Sequence, residues 1–258
     1  MFAEERHRLI NEMIAGNGKV TVAELSARFE ITRETVRRDL AQLESEGTLR
    51  RVHGGAVATQ AVSTREESHD ERTTIHSEAK ARIAQAAHLL LPAEGVSVML
   101  DAGTTTEILA GLIARNSFNT PSLVITHALP IAQRLAGNSQ IPLELIGGRV
   151  RGLTSAATGA GTVEQFSRLS ADVAFIGTNA LHSSFGLSTP DPMEATVKTA
   201  MVASAQRVIV LADSSKFERL TLVQFAKLDA IDTLVTDAAP TGELAAALEA
   251  ADVEVVLA

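Results

Sequence analysis

Cysteine is absent from the 258 residues, and so are tryptophan and tyrosine. Without cysteine there is no disulfide framework, no thiolate metal site and no catalytic thiol. Phenylalanine supplies all the aromatic rings, which argues against the stacking platforms that hold single-stranded nucleic acid. No apolar run approaches the roughly 18 residues of a membrane span. Met1-Phe2-Ala3-Glu4-Glu5-Arg6 does not resemble a signal peptide. The expectation is a cytoplasmic protein with no membrane partner, no metal site and no cofactor. Internal repeats and low-complexity tracts are also missing.

What is present is a chain with 45% apolar residues, enough for a substantial core. Net charge is −8, but it is unevenly placed. Through Val57 there are nine basic and nine acidic residues, and the remaining 14 basic and 22 acidic residues carry the whole excess. A DNA contact needs a local basic surface rather than a basic protein. The distribution allows such a surface near the N-terminus and an acidic domain behind it.

The stretch TRETVRRDLAQLESEGTLRRVHGG, from Thr32 to Gly55, reads as a helix followed by a short β-hairpin. Thr32 can cap the helix, since its hydroxyl can accept from a first-turn amide. Val36, Leu40 and Leu43 form one apolar stripe. Arg33 and Arg37 lie four apart on the other side, with Thr35 and Arg38 beside them. Gly47 stops the helix. Leu49 to Val52 and Ala56 to Ala58 can pair across His53-Gly54-Gly55. An ordinary amphipathic helix with a solvated basic face is the competing reading. A tight turn before the helix, threonine mixed with arginine, and a basic hairpin directly after it favour DNA. The contacting set is then Thr32, Arg33, Thr35, Arg37 and Arg38 of the helix, with Arg50, Arg51 and His53 of the hairpin.

Upstream, residues 3 to 15 read as a helix with Leu9, Ile10, Met13 and Ile14 on its apolar side. Gly16-Asn17-Gly18 breaks it. Thr21-Val22-Ala23-Glu24 has capping-box spacing, so a second helix should run to about Phe29. Three helices and a hairpin make a winged helix-turn-helix over residues 1–58, whose last helix would enter the major groove. Residues 59–74 have almost no apolar content and read as a polar linker with at most local helix.

TVRRDL followed by LRRVHGGA resembles the N-terminal signature of the DeoR family of bacterial transcriptional regulators.

From Ser77 strands alternate with helices, which predicts a largely parallel sheet covered on both faces in a domain over residues 75–258. Strands are expected at 96–100, 123–126, 143–146, 173–176, 208–211, 222–225, 234–236 and 253–256. Ligands in such sheets bind in loops after the strands. The loop Asp101-Ala102-Gly103-Thr104-Thr105-Thr106 offers helix-start amides and hydroxyls to an anion, or simply caps a helix. In Gly147-Gly148-Arg149-Val150-Arg151, two glycines precede a guanidinium able to hold a phosphate, or form a turn with a surface arginine. Gly177-Thr178-Asn179-Ala180 and Asp213-Ser214-Ser215-Lys216-Phe217 follow two further strands. Glu194 and Lys198 lie one helical turn apart, as a surface pair would.

The resemblance extends here through LDAGTTT, IGGRV, DVAFIGTNAL, GLSTPDPMEATVKTAM and LADSSKF, which resemble successive motifs of the DeoR-type sensor domain. That resemblance implies a fold like the sugar-phosphate isomerases and deaminases. It implies phosphate ligands at Gly103, Thr104, Thr105, Arg149 and Lys198, with Lys216 a further candidate. Asp101, His127, Asn179 and Glu194 complete the candidate effector site. His127 stands where the family commonly has Asn, and Ala180 where it commonly has Gly; both positions lie where the sugar body would be read.

The implied function is a repressor of sugar uptake or catabolism, bound to a double-stranded operator as a homodimer or homotetramer and released by a phosphorylated sugar. GTNAL, GLST and ALPIA most resemble regulators of actinobacterial sugar-uptake and fructose-utilisation genes, which points to fructose 1-phosphate. The alternative is a sugar-phosphate isomerase or deaminase, for which Asp101, His127, His182 and Glu194 are candidate bases. The DNA module favours the regulator, with no catalytic residues.

Overall fold

The computed structural model describes residues 3–17, 19–45, 48–52, 54–58, 68–92, 95–115 and 120–258, which fall into two units, Met1–Ala61 and Val62–Ala258. In the first unit, helix α1 (Ala3–Asn17) leads into strand β1 (Lys19–Thr21), helices α2 (Val22–Phe29) and α3 (Arg33–Ser45), and strands β2 (Leu49–Val52) and β3 (Gly55–Ala58). The Thr21 hydroxyl accepts from the Glu24 amide at 3.1 Å and starts α2. The Thr32 hydroxyl accepts from the Thr35 amide at 3.2 Å and does the same for α3. Both caps follow the expected spacing. Ile10, Ile14, Leu25, Val36, Leu40, Leu43 and Leu49 meet in one core.

The hairpin is one strand richer than the sequence suggests. β1 pairs with β3, giving the order β1-β3-β2. Three residues are too few to show a period of two, so the strand left no signal. Its pairing requires Gly55, because a β-carbon there would lie 2.1 Å from the Val20 carbonyl oxygen. The Gly47 stop and His53 lie outside the described residues.

The second unit opens with α4 (His69–Thr74) and α5 (Ser77–Leu89). β4 (Ser97–Leu100), α6 (Thr104–Arg115), β5 (Leu123–Thr126), α7 (Leu129–Leu135) and β6 (Leu143–Leu145) follow. The hairpin β7 (Arg149–Arg151) and β8 (Ala156–Thr158) leads to α8 (Ala160–Ser167) and β9 (Ala171–Gly177). Then come β10 (Ala180–His182), β11 (Gly186–Thr189), α9 (Pro192–Ala203), β12 (Ala205–Leu211), β13 (Val223–Ala226), β14 (Thr233–Thr236), α10 (Gly242–Ala250) and β15 (Glu254–Leu257).

Seven of these strands form one parallel sheet in the order β15-β14-β12-β9-β4-β5-β6. The strand residues divide between its faces, as pleating requires. Val98, Leu100, Val173 and Phe175 pack with α5, α6 and α7. Met99, Ala174, Ile176 and Val210 pack with α8, α9 and α10. The strand expected at 222–225 forms at Val223–Ala226, but in a separate antiparallel sheet, β10-β11-β13.

The chain winds outward from β4 to β6, then returns to β9 on the other side of β4. The crevice at such a reversal, beyond the carboxyl ends of the strands, is where ligands bind in open parallel sheets. Here it opens between Asp101, just after β4, and Gly177 at the end of β9.

Candidate functional site

In the first unit the apolar stripe of α3 sinks Val36, Leu40 and Leu43 into the core and turns Arg33, Arg37 and Arg38 to solvent. Arg37 and Arg38 lie 3.7 and 3.9 Å from Glu34, exposed pairs of roughly 0–1 kcal/mol that leave both guanidinium groups available. Arg33, Arg37 and Arg51 border one groove, with Gly54 and Gly55 beside them. The structure thus brings together an arginine of the hairpin and two of the helix. Thr35 is half-buried and shares a 2.9 Å hydrogen bond with the Thr32 hydroxyl. For Arg50 only the backbone in β2 is described.

Sequence reasoning missed Asp39. It sits on α3 but faces inward, where its carboxylate accepts from Arg6 at 2.8 and 3.0 Å and lies 3.1 Å from the His7 imidazole. Burial pushes this carboxyl up, yet the hydrogen bonds and charges of Arg6 and His7 outweigh it and hold Asp39 below the usual carboxylate range. The cluster fixes α3 against α1, so the angle at which the arginines are presented is set from behind.

In the second unit the crevice is lined by Gly103, Thr104, Thr105, Asn179, Glu194, Lys198 and Lys216 of the expected set. The first-turn amides of the twelve-residue α6 begin here, where a helix has no internal acceptors for them. The Thr106 hydroxyl donates back to the Asp101 and Gly103 carbonyls at 2.6 and 2.9 Å and keeps the turn tight.

Asp101 and His127 lie behind this lining rather than in it. Asp101 is fully buried. Its Oδ2 takes the Lys198 ammonium and the Gly177 amide at 2.9 Å, and its Oδ1 lies 3.3 Å from His127 Nε2. Burial would raise its pKa, but Lys198 and His127 more than compensate and hold it low. His127 Nδ1 faces the Ala157 carbonyl at 2.8 Å, so that nitrogen carries a proton, and the ring packs edge-on against Phe166. Lys198 also donates to the Gly177 carbonyl at 2.9 Å and leaves one N–H for a ligand.

Arg149 is not among the residues lining the crevice. It stands exposed on β7, where its carbonyl accepts from Thr158 at 3.2 Å. The expected loop at 147–151 ends in a strand, and pairing with β8 carries Arg149 outward. Its neighbour Arg151 reaches the N-terminal turn of α9, 3.3 Å from Asp191 and 3.1 Å from Glu194. Asp191 in turn caps α9 through the Met193 and Glu194 amides at 2.9 Å. Glu194 also accepts from Thr154 at 2.5 Å. It is therefore part of a buried network, not the surface pair with Lys198 that the spacing suggests.

The structure adds Arg72 and Lys80 to the lining. Both come from outside the loops that sequence reasoning searched. Arg72 lies in α4, inside the tract read as a linker, and Lys80 is a buried residue of α5 whose periodicity says nothing of the crevice. Of the tract expected as a linker, residues 68–74 are described, and they hold α4 in the second unit.

Two family models match the chain: the DeoR-like helix-turn-helix domain over residues 6–62 and the DeoR C-terminal sensor domain over residues 75–238. The chain belongs to the DeoR family. Its relatives include the HTH-type transcriptional regulator GlpR of Haloferax volcanii, 37% identical over 99% of this chain and 98% of that protein. The glycerol-3-phosphate regulon repressor of Escherichia coli K12 is 30% identical over 92% of this chain and 91% of its own length. Among solved structures, ribose 5-phosphate isomerase A from Methanocaldococcus jannaschii aligns over 55% of this chain and 54% of its own, at 18% identity and a TM-score of 0.40. Among the described residues no helix is long and apolar enough to cross a membrane.

Proposed function

We propose that this DeoR-family chain is a repressor of sugar-metabolism genes that binds operator DNA through α3 and the β2–β3 wing and is released by a phosphorylated sugar, with fructose 1-phosphate the first candidate. The observation that carries this reading is the groove that gathers Arg33, Arg37 and Arg51 on exposed faces of helix and wing. A guanidinium is suited to guanine edges and to phosphates alike. The crevice of the sensor unit supports the effector half. It combines helix-start amides with Lys216, Lys80 and the remaining N–H of Lys198, a donor set suited to phosphate.

The isomerase or deaminase reading needs a free base. Asp101 is committed to Lys198 and Gly177, and Glu194 to Arg151 and Thr154. His127 is enclosed, and His182 sits 3.3 Å from Glu218 and is not among the residues lining the crevice. Two DNA-binding units joined through the sensor domains would raise effective concentration on paired half-sites, so we propose a homodimer or homotetramer.

The test is operator affinity by fluorescence anisotropy with and without sugar phosphates, alongside an assay for turnover of the same compounds. The expected result is tight operator binding, weakened by one sugar phosphate that is recovered unchanged. Turnover of the sugar phosphate without operator binding would reverse the assignment.

A further inference from the structure

The helix α4 is six residues long and has no fully buried residue. A helix this short does not hold itself together in water. Its own start is secured by a capping box, in which Ser68 and Glu71 serve each other's amides. Its attachment to the sensor rests on a few polar contacts. The His69 amide donates to the Leu153 carbonyl at 2.8 Å, and the His69 imidazole lies 2.9 Å from Glu107 of α6. The ammonium of Lys80 donates to the Arg72 carbonyl, where the carbonyl end of a helix favours a cation. Segments with little buried apolar surface open at low free-energy cost.

Arg72 is the residue by which α4 lines the crevice. Its Nε is shielded from solvent and meets no hydrogen-bond acceptor among the described residues. A buried charged donor without an acceptor is costly and uncommon. The acceptors nearby are committed: Glu194 to Arg151 and Thr154, and Asp213 to the amide and hydroxyl of Ser215. Around Arg72 stand other donors, namely the α6 amides, Lys80, Lys198 and Lys216. An oxygen-rich dianion is the chemistry that answers this imbalance, and a guanidinium can meet it through two parallel bonds.

We propose that Arg72 is a ligand of the effector's phosphate, and that α4 is the element through which occupancy is reported to the DNA-binding unit. This rests on the phosphate-effector reading above and adds to it a ligand and a route. The chain that leaves the DNA-binding unit after β3 enters the described part of the sensor at Ser68, one residue before α4. A phosphate held jointly by Arg72 and by the first turn of α6 pins α4 to the rim of the crevice. Without it the helix keeps polar contacts such as those of His69 and Lys80. Ligand binding therefore shifts the population of docked α4, and with it the tether of the DNA-binding unit.

The experiment uses the full chain, a labelled operator and three probes: fructose 1-phosphate, glycerol 3-phosphate and inorganic phosphate. Calorimetry gives probe affinity, and hydrogen exchange reports on residues 68–76. In the wild type, a probe that binds should slow exchange across α4. Arg72→Gln should weaken that probe roughly 10- to 100-fold and Arg72→Lys by less. His69→Ala should hold the probe within about threefold of wild type but shrink the ratio of operator affinities without and with it. Thermal unfolding of each variant separates lost ligand contacts from lost folding. A wild type that binds none of the probes ends the phosphate reading of the crevice and this inference with it. A wild type that binds a probe with no change in α4 exchange overturns the route alone. Unchanged probe affinity in folded Arg72→Gln overturns the ligand assignment and leaves the phosphate reading standing.

Discussion

On α3 the guanidinium groups of Arg33, Arg37 and Arg38 stand in solvent, whereas in the sensor Lys80 and Lys198 are 6% and 5% exposed. The helix meets its charge with weak surface pairs to Glu34. The crevice meets its charge with a buried aspartate and backbone carbonyls. The difference follows from the partners the two sites suit. A duplex is a broad polyanion whose phosphates stay hydrated, so the cations that meet it can stay hydrated too and act by displacing counterions. A small anion has to be enclosed to be told apart from others, and enclosing it means desolvating the groups that hold it. Each buried cation must then be neutral in sum with its surroundings before the ligand arrives. The two sites therefore differ in what a single substitution does: at the helix it removes affinity, and in the crevice it first removes stability.

The largest expected effect tests that contrast directly. Lys198→Met leaves the Asp101 carboxylate buried with only the Gly177 amide and His127. Removing one partner of a buried ion pair should cost the sensor about 3–5 kcal/mol. Adding Asp101→Asn should restore most of it, since the buried charge is then gone as well. Chemical denaturation followed by circular dichroism measures both, because the chain has no tryptophan or tyrosine to report by fluorescence. A single variant as stable as wild type would mean that the crevice does not depend on this pair. Asp101 is held below its ordinary pKa, so its contribution is complete above about pH 4 and is lost as pH falls through the lowered folded-state value.

The second effect falls on the DNA-binding unit. Asp39→Ala strands Arg6 and His7, whose side chains are only 11% and 12% exposed. The expected loss is about 2–3 kcal/mol, less than for a fully enclosed pair. Operator affinity should fall with it, since the same cluster orients α3. Asp39 also has a lowered pKa, so this unit too should weaken in acid as Asp39 takes up its proton. A variant that keeps its stability but loses DNA would instead place Asp39 at the DNA surface.

These two aspartates also mark where sequence reasoning stops. Arg33 and Arg37 are legible because helical period and a polar surround are local properties. Asp39 reads as one more polar residue of the same helix, and its partners lie 32 and 33 residues earlier. Asp101 and Lys198 are 97 residues apart. The parallel sheet was readable from alternating buried strands, and its loops from their glycines and hydroxyls. The strands β1, β7, β8, β10 and β11 were not, since they are short and lie in small antiparallel sheets outside the alternation of strand and helix. Arg149 reads as a crevice residue because two glycines precede it, but it lies in the β7–β8 hairpin, exposed and not among the residues lining the crevice. Arg72 was hidden by the polarity of its neighbours, which is the composition of a linker and equally that of a short helix held by polar contacts.

At the exposed site, Arg37→Ala should leave stability unchanged and cost roughly 1–3 kcal/mol of specific operator binding if it reads a guanine edge. The loss should be confined to the base it reads: substituting that base pair should weaken wild type and leave the variant unaffected. Equal losses on operator and on random duplex would make Arg37 a phosphate contact.

The smallest effect belongs to the wing. Arg51 is 44% exposed, lies 4.0 Å from Glu44, and its backbone amide donates to the same carboxylate at 2.8 Å. Its position on β2 is therefore held by the main chain, and Arg51→Ala should leave the hairpin in place. A phosphate contact made by its side chain would appear as a change in salt dependence, with the slope of log affinity against log salt falling by about 0.9. The loss at physiological salt should be about 1 kcal/mol or less and should be the same on operator and random DNA. Affinity titrations over a range of salt concentrations on both duplexes measure this. If Arg51→Ala discriminated between the two duplexes, the wing would be reading sequence, and the division drawn between helix and hairpin would have to be redrawn.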